Sequence, residues 1–337
     1  MKIENFDIKK DILIVAEIGN NHEGSYGLAE EMIGLAAETG VGAVKFQTFN
    51  TDYYVNRSDK NRFRQLKSFE LSYDQFEALS KVAKKNGLIF LSTPFDIESA
   101  KFLNTIVPAF KIASGDNNFY PLLEVIAKFA KPVIMSSGLT HLDGISKSKA
   151  FIEEVWKSLN INQDICVLHC VSAYPVHPEE VNLAAISYLK EHLKCNIGYS
   201  DHTIGIEASV LSAALGARII EKHFTINKNH SDFRDHQLSA DPQEMTMIVN
   251  NVQRVIKLIG KREKTVQPCE KFIDRIVRRS IVANNDYPAG TIIDWDKITW
   301  IRPANGLAPG KENLIIDKML TKSVTMGEPI TEETLEQ

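Results

Sequence analysis

The chain has 337 residues, 44% of them hydrophobic and 24% charged, with a formal net charge of -4. That is a globular composition, too long for the usual single domain, so one large domain plus a smaller one is expected. The weakly acidic balance excludes a broad nucleic-acid footprint, and no membrane-length apolar run or signal-like N-terminus appears, so a cytoplasmic protein acting on small molecules is expected.

Short apolar runs that end in polar residues recur along the chain, at 12–19, 43–49, 88–95, 109–115, 132–138, 165–174, 195–203 and 218–225. They are rich in Ile, Val and Leu without strict alternation, the pattern of parallel strands covered on both faces. Helical patterns lie between them, such as 28–39, closed by Gly40, and 73–86, closed by Gly87. Eight strands alternating with helices predict an α/β fold of the (β/α)8 TIM-barrel type. A doubly wound sheet usually needs fewer strands, and no glycine-rich dinucleotide fingerprint follows the first run. Residues 242–259 read as a closing helix, ending a barrel domain at about residue 262, and residues 263–277 read as a polar linker. Residues 278–337 change character. Ser280-Ile-Val-Ala283, the turn at Pro288-Ala-Gly290 and Ile298-Thr-Trp-Ile301 predict short strands and tight turns. Cys166, Cys170 and Cys195, in or beside apolar runs, read as buried reduced thiols, and Cys269 falls in the linker.

The polar ends of the strand-like runs collect Glu17, Lys45, Gln47, Thr93, Lys111, Ser114, Ser136, Tyr174, Ser200, Asp201, His202, Glu221 and His223. Barrel enzymes keep their chemistry at that end. A lysine inside an apolar strand is costly unless its charge is paired or meets an anion, so Lys45 and Lys111, with the hydroxyls of Thr93, Ser114, Ser136 and Ser200, predict a cradle for a phosphate or carboxylate. His202 and His223 end neighbouring strands and form the best metal pair in the chain. Imidazoles with carboxylate and water suit Mn²⁺ or a related divalent ion better than a closed zinc site.

Six blocks together resemble the bacterial sialic acid synthases: Ala16-Glu-Ile-Gly-Asn-Asn-His-Glu-Gly24, Val44-Lys-Phe-Gln47, Ser92-Thr-Pro-Phe95, Lys111-Ile-Ala-Ser-Gly115, Gly198-Tyr-Ser-Asp-His-Thr203 and Glu221-Lys-His-Phe-Thr225. The tail, from Arg278-Arg-Ser-Ile-Val-Ala to Arg302-Pro-Ala-Asn-Gly, resembles that family's SAF (antifreeze-like) domain. The resemblance implies condensation of phosphoenolpyruvate with an open-chain N-acylated amino sugar to a nine-carbon 2-keto acid, with phosphate released. It implies Mn²⁺ or Mg²⁺ on His202 and His223. It puts Lys45, Thr93, Lys111, Ser114, Ser136 and Ser200 on phosphoenolpyruvate, and Gln47, Tyr174 and Asp235 toward the sugar or the metal. Glu17 and Glu221 become candidate proton acceptors, Lys111 a catalytic cation, and Arg302 a residue sent into a partner's site in a domain-swapped homodimer. Two departures, Ser172 before Tyr174 and Ser231-Asp-Phe-Arg-Asp235, map to the sugar side. The acceptor is therefore either N-acetylmannosamine or a 2,4-diacetamido-trideoxyhexose, as in legionaminic or pseudaminic acid synthesis, and Arg234 is an added candidate contact. The alternatives are a related synthase that takes a phosphorylated sugar, disfavoured because no extra basic patch is evident, and a non-catalytic sugar-binding protein.

Overall fold

Eight strands run parallel: β1 (Leu13–Gly19), β2 (Ala43–Thr48), β3 (Ile89–Pro94), β4 (Phe110–Ile112), β5 (Val133–Ser136), β6 (Ile165–Cys170), β7 (Asn196–Asp201) and β8 (Ile219–His223). Their hydrogen-bonded order is β3-β2-β1-β8-β7-β6-β5-β4, and β3 lies beside β4, so the sheet returns on itself as a barrel. This computed structural model describes residues 1–336, and the chain divides into two units, 1–260 and the segment beginning at Lys261.

Strand side chains alternate between two faces, and here both faces are buried. One set, including Ile14, Val44, Phe46, Phe90, Met135, Val167, Ile197 and Ile220, packs under the surrounding helices. The other fills the barrel interior with Leu13, Val15, Ala43, Ile89, Leu91, Ala109, Ile134, Cys166, Leu168 and Ile219. Met1, Ile3 and Ile8 join that interior from an N-terminal hairpin, Lys2–Ile3 against Phe6–Asp7. The Met1 amine pairs with Asp164 at 2.9 Å, and Arg218 donates to the Ile8 and Asp11 carbonyls. The strands' N-terminal ends are thereby plugged with apolar groups and tied, which leaves the C-terminal ends to be polar.

Both expected helices form, at Tyr26–Glu38 and Tyr73–Lys85, and Pro242–Ile259 closes the barrel unit. The run at 165–174 is shorter as a strand than its apolar content predicts. It stops at Cys170 because the next carbonyl, that of Val171, is taken by the His202 ring at 2.8 Å instead of by a ladder partner. The run at 109–115 likewise ends at Ile112 and turns through Ser114–Asp116. Residues 271–277, inside the stretch read as linker, form a helix. No helix among the described residues is long and apolar enough to cross a membrane.

The second unit pairs β9 (Ser280–Ala283) antiparallel with β10 (Ile298–Ile301) around a small core of Ile281, Ile293, Ile298, Ile315, Leu320, Val324 and Ile330. Short strands and tight turns are what its sequence predicts.

Candidate active site

On each strand the inward positions run apolar, then polar: Leu13, Val15, Glu17 on β1; Ala43, Lys45, Gln47 on β2; Ile89, Leu91, Thr93 on β3; Ile219, Glu221, His223 on β8. Period-two alternation therefore stacks a ring of ionisable and hydroxyl groups on the apolar interior. Glu17, Lys45, Gln47, Thr93, Lys111, Ser114, Ser136, Tyr174, Ser200, His202, Glu221, His223 and Asp235 all line one cavity of about 1060 Å³. Arg302 belongs to the second unit, exposed in the segment after β10.

The charges are buried and interlocked. Lys45 Nζ lies 2.8 Å from Glu17 Oε2 and 3.8 Å from Glu221 Oε2, and donates to Thr93 Oγ1 at 3.1 Å. Lys111 Nζ donates to Ser136 Oγ at 2.7 Å and stands 3.7 Å from Glu221 Oε1, which also accepts from Ser200 at 3.0 Å. Gln47 donates to Glu17 Oε1 at 3.2 Å and accepts from Asn20 at 3.0 Å. Two carboxylates share two ammonium groups, and their surroundings push them apart. Burial and the charge of Glu221 raise the Glu17 carboxyl, against the opposing pull of Lys45 and the Gln47 hydrogen bond. Burial acts on Glu221 too, but the charges of Lys111 and Lys45 and the Ser200 hydrogen bond outweigh it and hold that carboxyl well below the usual range. Pairs of carboxylates driven in opposite directions are how one site assigns a proton acceptor and a fixed anion.

The two histidine rings stand 5.5 Å apart, with Tyr174 4.2 Å from His202. His202 Nδ1 donates to the Val171 carbonyl, leaving Nε2 with the free lone pair. His223 Nδ1 is buried with no hydrogen-bond partner among the described residues, and burial beside His202 holds the ring neutral. Such a pair fits a divalent cation: two imidazoles, that of His223 neutral and with an orphaned nitrogen, beside the ionised Glu221. Burial lowers the His202 ring, but Cys170 and Glu221 outweigh it and raise that ring, so a cation would have to displace a proton there.

Several lining residues escape the sequence reading. Cys170, read as one more buried thiol, shares the inward face of β6 with Cys166 and Leu168 and places its sulfur 3.9 Å from His202 Nδ1; counting by twos from Cys166 identifies it. Ser172, expected on the sugar side, lines the same cavity near Gly138, where a Cβ would come within 2.3 Å of Ser172 Oγ and 2.6 Å of Ser114 Oγ. Tyr54, Asp59, Asn61, Arg62 and Gln65 line the cavity from the helical excursion after β2, which includes Lys60–Phe69. No strand-end signal marks that stretch. Arg234 lays its guanidinium 4.8 Å from the centre of the Tyr174 ring and pairs with Asp235 at 3.2 Å.

The chain resembles known proteins over nearly its whole length. It is 42% identical to an uncharacterised protein of Methanocaldococcus jannaschii, over 91% of this chain and 89% of that one. It is 37% identical to the N,N'-diacetyllegionaminic acid synthase of Campylobacter jejuni, over 96% of this chain and 100% of that one. Among solved structures, the N-acetylneuraminic acid (sialic acid) synthetase of Leptospira borgpetersenii superposes with a TM-score of 0.76 at 33% identity, covering 81% of this chain and 94% of that one. Residues 32–264 match the NeuB family and residues 278–336 match the SAF domain. With its barrel and its tail both accounted for, this chain belongs to the NeuB family.

Proposed function

We propose that the chain is a nonulosonic acid synthase that joins phosphoenolpyruvate, an N-acylated amino-sugar aldehyde and water into a nine-carbon 2-keto acid and phosphate. The observation that carries this reading is the pair of buried lysines, Lys45 and Lys111, converging with hydroxyls on a cavity that also holds paired histidines. Lys45, Lys111, Thr93, Ser114, Ser136 and Ser200 hold the phosphate and carboxylate, and Ser172 adds a free hydroxyl there. The enol carbon attacks the aldehyde carbon, and water then adds at C2 of the resulting cation before phosphate leaves. A divalent cation on His202 and His223, Mn²⁺ or Mg²⁺, supplies Lewis-acid polarisation when bound. Glu17 accepts a proton from the attacking water, while Glu221 stays ionised between the lysines.

A non-catalytic protein would have no physical reason to keep these charges buried. The acceptor is read as unphosphorylated. Arg62 and Arg234 do line the cavity, contrary to the absence of extra basic residues read from sequence, but Asp59, Asp232 and Asp235 line it with them. The deciding experiment is phosphate release from phosphoenolpyruvate with Mn²⁺ across N-acetylmannosamine, its 6-phosphate and 2,4-diacetamido-trideoxyhexoses. No release with any acceptor sinks the reading, and preference for the phosphate ester corrects the acceptor.

Two further expectations follow from this assignment. A raised Glu17 carboxyl, at about 7 in the free protein, moves the acid limb of the rate profile up from the ordinary carboxylate range, so kcat/KM rises as pH climbs through neutrality and the base loses its proton. Glu17→Gln should flatten that limb and lower kcat about a hundredfold; a limb that persists in the variant belongs to another group. In a domain-swapped homodimer, Arg302 would serve the acceptor side of the partner's cavity. Arg302→Ala should then raise the sugar KM about tenfold with the phosphoenolpyruvate KM little changed, and equal effects on both would refute the role.

A further inference from the structure

We propose that His236, clamped between Glu23 and Thr225, is a positioning residue for the acceptor: it fixes the segment carrying Phe233, Arg234 and Asp235 against the cavity and so sets sugar affinity. The inference rests on the synthase reading of the cavity, since it assigns that segment to the acceptor.

The His236 ring is fully buried, and both of its nitrogens are engaged. Nε2 meets Glu23 Oε1 at 2.9 Å, and Nδ1 meets Thr225 Oγ1 at 2.7 Å, two residues past the end of β8. The same Glu23 oxygen accepts from Ser231 Oγ at 2.5 Å, and Ser231 Oγ in turn accepts from the Phe233 backbone N–H at 3.0 Å. One carboxylate from the loop after β1 therefore holds both ends of the turn 231–236 in the loop after β8. Glu23 itself has a φ of 47°, the left-handed region that side chains other than glycine rarely adopt, so its placement is held by the surrounding fold. Against the cost of burial, the hydrogen bonds from Ser231 and His236 keep its carboxyl below the ordinary range.

A second tie reinforces the first. Asn21 donates to Ser239 Oγ at 2.9 Å, and Ser239 Oγ donates to the Asp235 carbonyl at 2.6 Å. What these ties present to the cavity is Asp235, Arg234 over Tyr174, and Phe233, whose ring meets Phe69 edge-on at 5.1 Å. Glu23, Thr225, Ser231 and His236 are not among the cavity-lining residues, so they act only through the segment they hold. A ligand loses affinity when the groups that meet it are no longer preorganised, so loosening this segment should weaken the acceptor's binding. Because the lysine and hydroxyl cradle comes from other strands, the effect should be selective for the sugar.

The test is steady-state phosphate release by the full-length protein, titrating each substrate separately, for His236→Ala, His236→Gln, Ser231→Ala and Glu23→Gln. His236→Ala should raise the acceptor KM tenfold or more, with the phosphoenolpyruvate KM within twofold of the parent and kcat within fivefold. His236→Gln, which keeps a donor toward Glu23, should recover part of the loss, and Ser231→Ala should show a smaller rise of the same kind. A merely structural role would lower the melting temperature with both KM values unmoved, and that result, or both KM values rising together, overturns the proposal. If His236→Ala does not fold, an unchanged acceptor KM in both Ser231→Ala and Glu23→Gln overturns it equally. No turnover by the parent protein with any acceptor fails the synthase reading and the clamp with it, whereas an active parent with sugar-indifferent variants fails the clamp alone.

Discussion

Replacing Lys111 by methionine is expected to lower kcat/KM for phosphoenolpyruvate about a thousandfold, with the melting temperature unchanged or higher. The two halves of this result have one cause. The Lys111 ammonium is buried, and burial pulls its pKa down, with Glu221 opposing. A cation held out of water costs several kcal/mol, and methionine of similar length removes that cost. The groups left behind are partly compensated: Glu221 keeps Lys45 at 3.8 Å and the Ser200 hydroxyl at 3.0 Å, and Ser136 Oγ, which loses its lysine donor, opens on the cavity. What is lost is a donor that stands free to turn from Ser136 and Glu221 toward an incoming anion. Removing one such preorganised donor from a water-poor site costs about 3–4 kcal/mol of transition-state stabilisation. Phosphate-release kinetics and a thermal melt on the same preparation check both halves. A loss under tenfold in a folded variant would remove Lys111 from the anion site.

The strand ends explain how much of this was readable from sequence. Apolar runs mark strands whichever way they face, so the barrel was legible, and the polar residue closing each run marked the ring of Glu17, Lys45, Lys111, Glu221 and His223. Cys170 was chemically ambiguous: a thiol fits an apolar interior as well as a site, and only its inward register on β6 separates the two. The excursion that brings Asp59, Arg62 and Gln65 to the cavity carries no such mark, since an exposed polar helix reads alike whether it faces solvent or a ligand. Ser172 was placed by its neighbour Tyr174 in the chain. Once β6 ends at Cys170 and the chain turns, the two side chains meet different neighbours, Ser172 near Gly138 and Tyr174 beside His202. Nothing in the sequence singles out His236, because its partners, Glu23 and Thr225, lie 213 and 11 residues away.

Stripping divalent cations with EDTA is expected to abolish turnover, and the donor set predicts how activity returns. His202 and His223 bring two imidazoles within 5.5 Å, and the neutral state of His223, enforced by burial and by His202, is the form a ligand needs. Among the described residues, no group of three or more His, Cys, Asp or Glu side chains is arranged to hold an ion. If a cation sits on these two imidazoles, as proposed, its other positions would fall to water and substrate, as in an open catalytic site rather than a closed structural one. A cation held that way exchanges easily. Dialysis should remove it, and added Mn²⁺ or Mg²⁺ should restore phosphate release along a saturable curve whose midpoint tightens when both substrates are present. His223→Ala leaves one imidazole and should stay below about a thousandth of parent activity at any metal concentration tested. Metal content after dialysis, read beside activity, separates the outcomes: full turnover in EDTA, or a cation retained through dialysis, would rule out a two-histidine site.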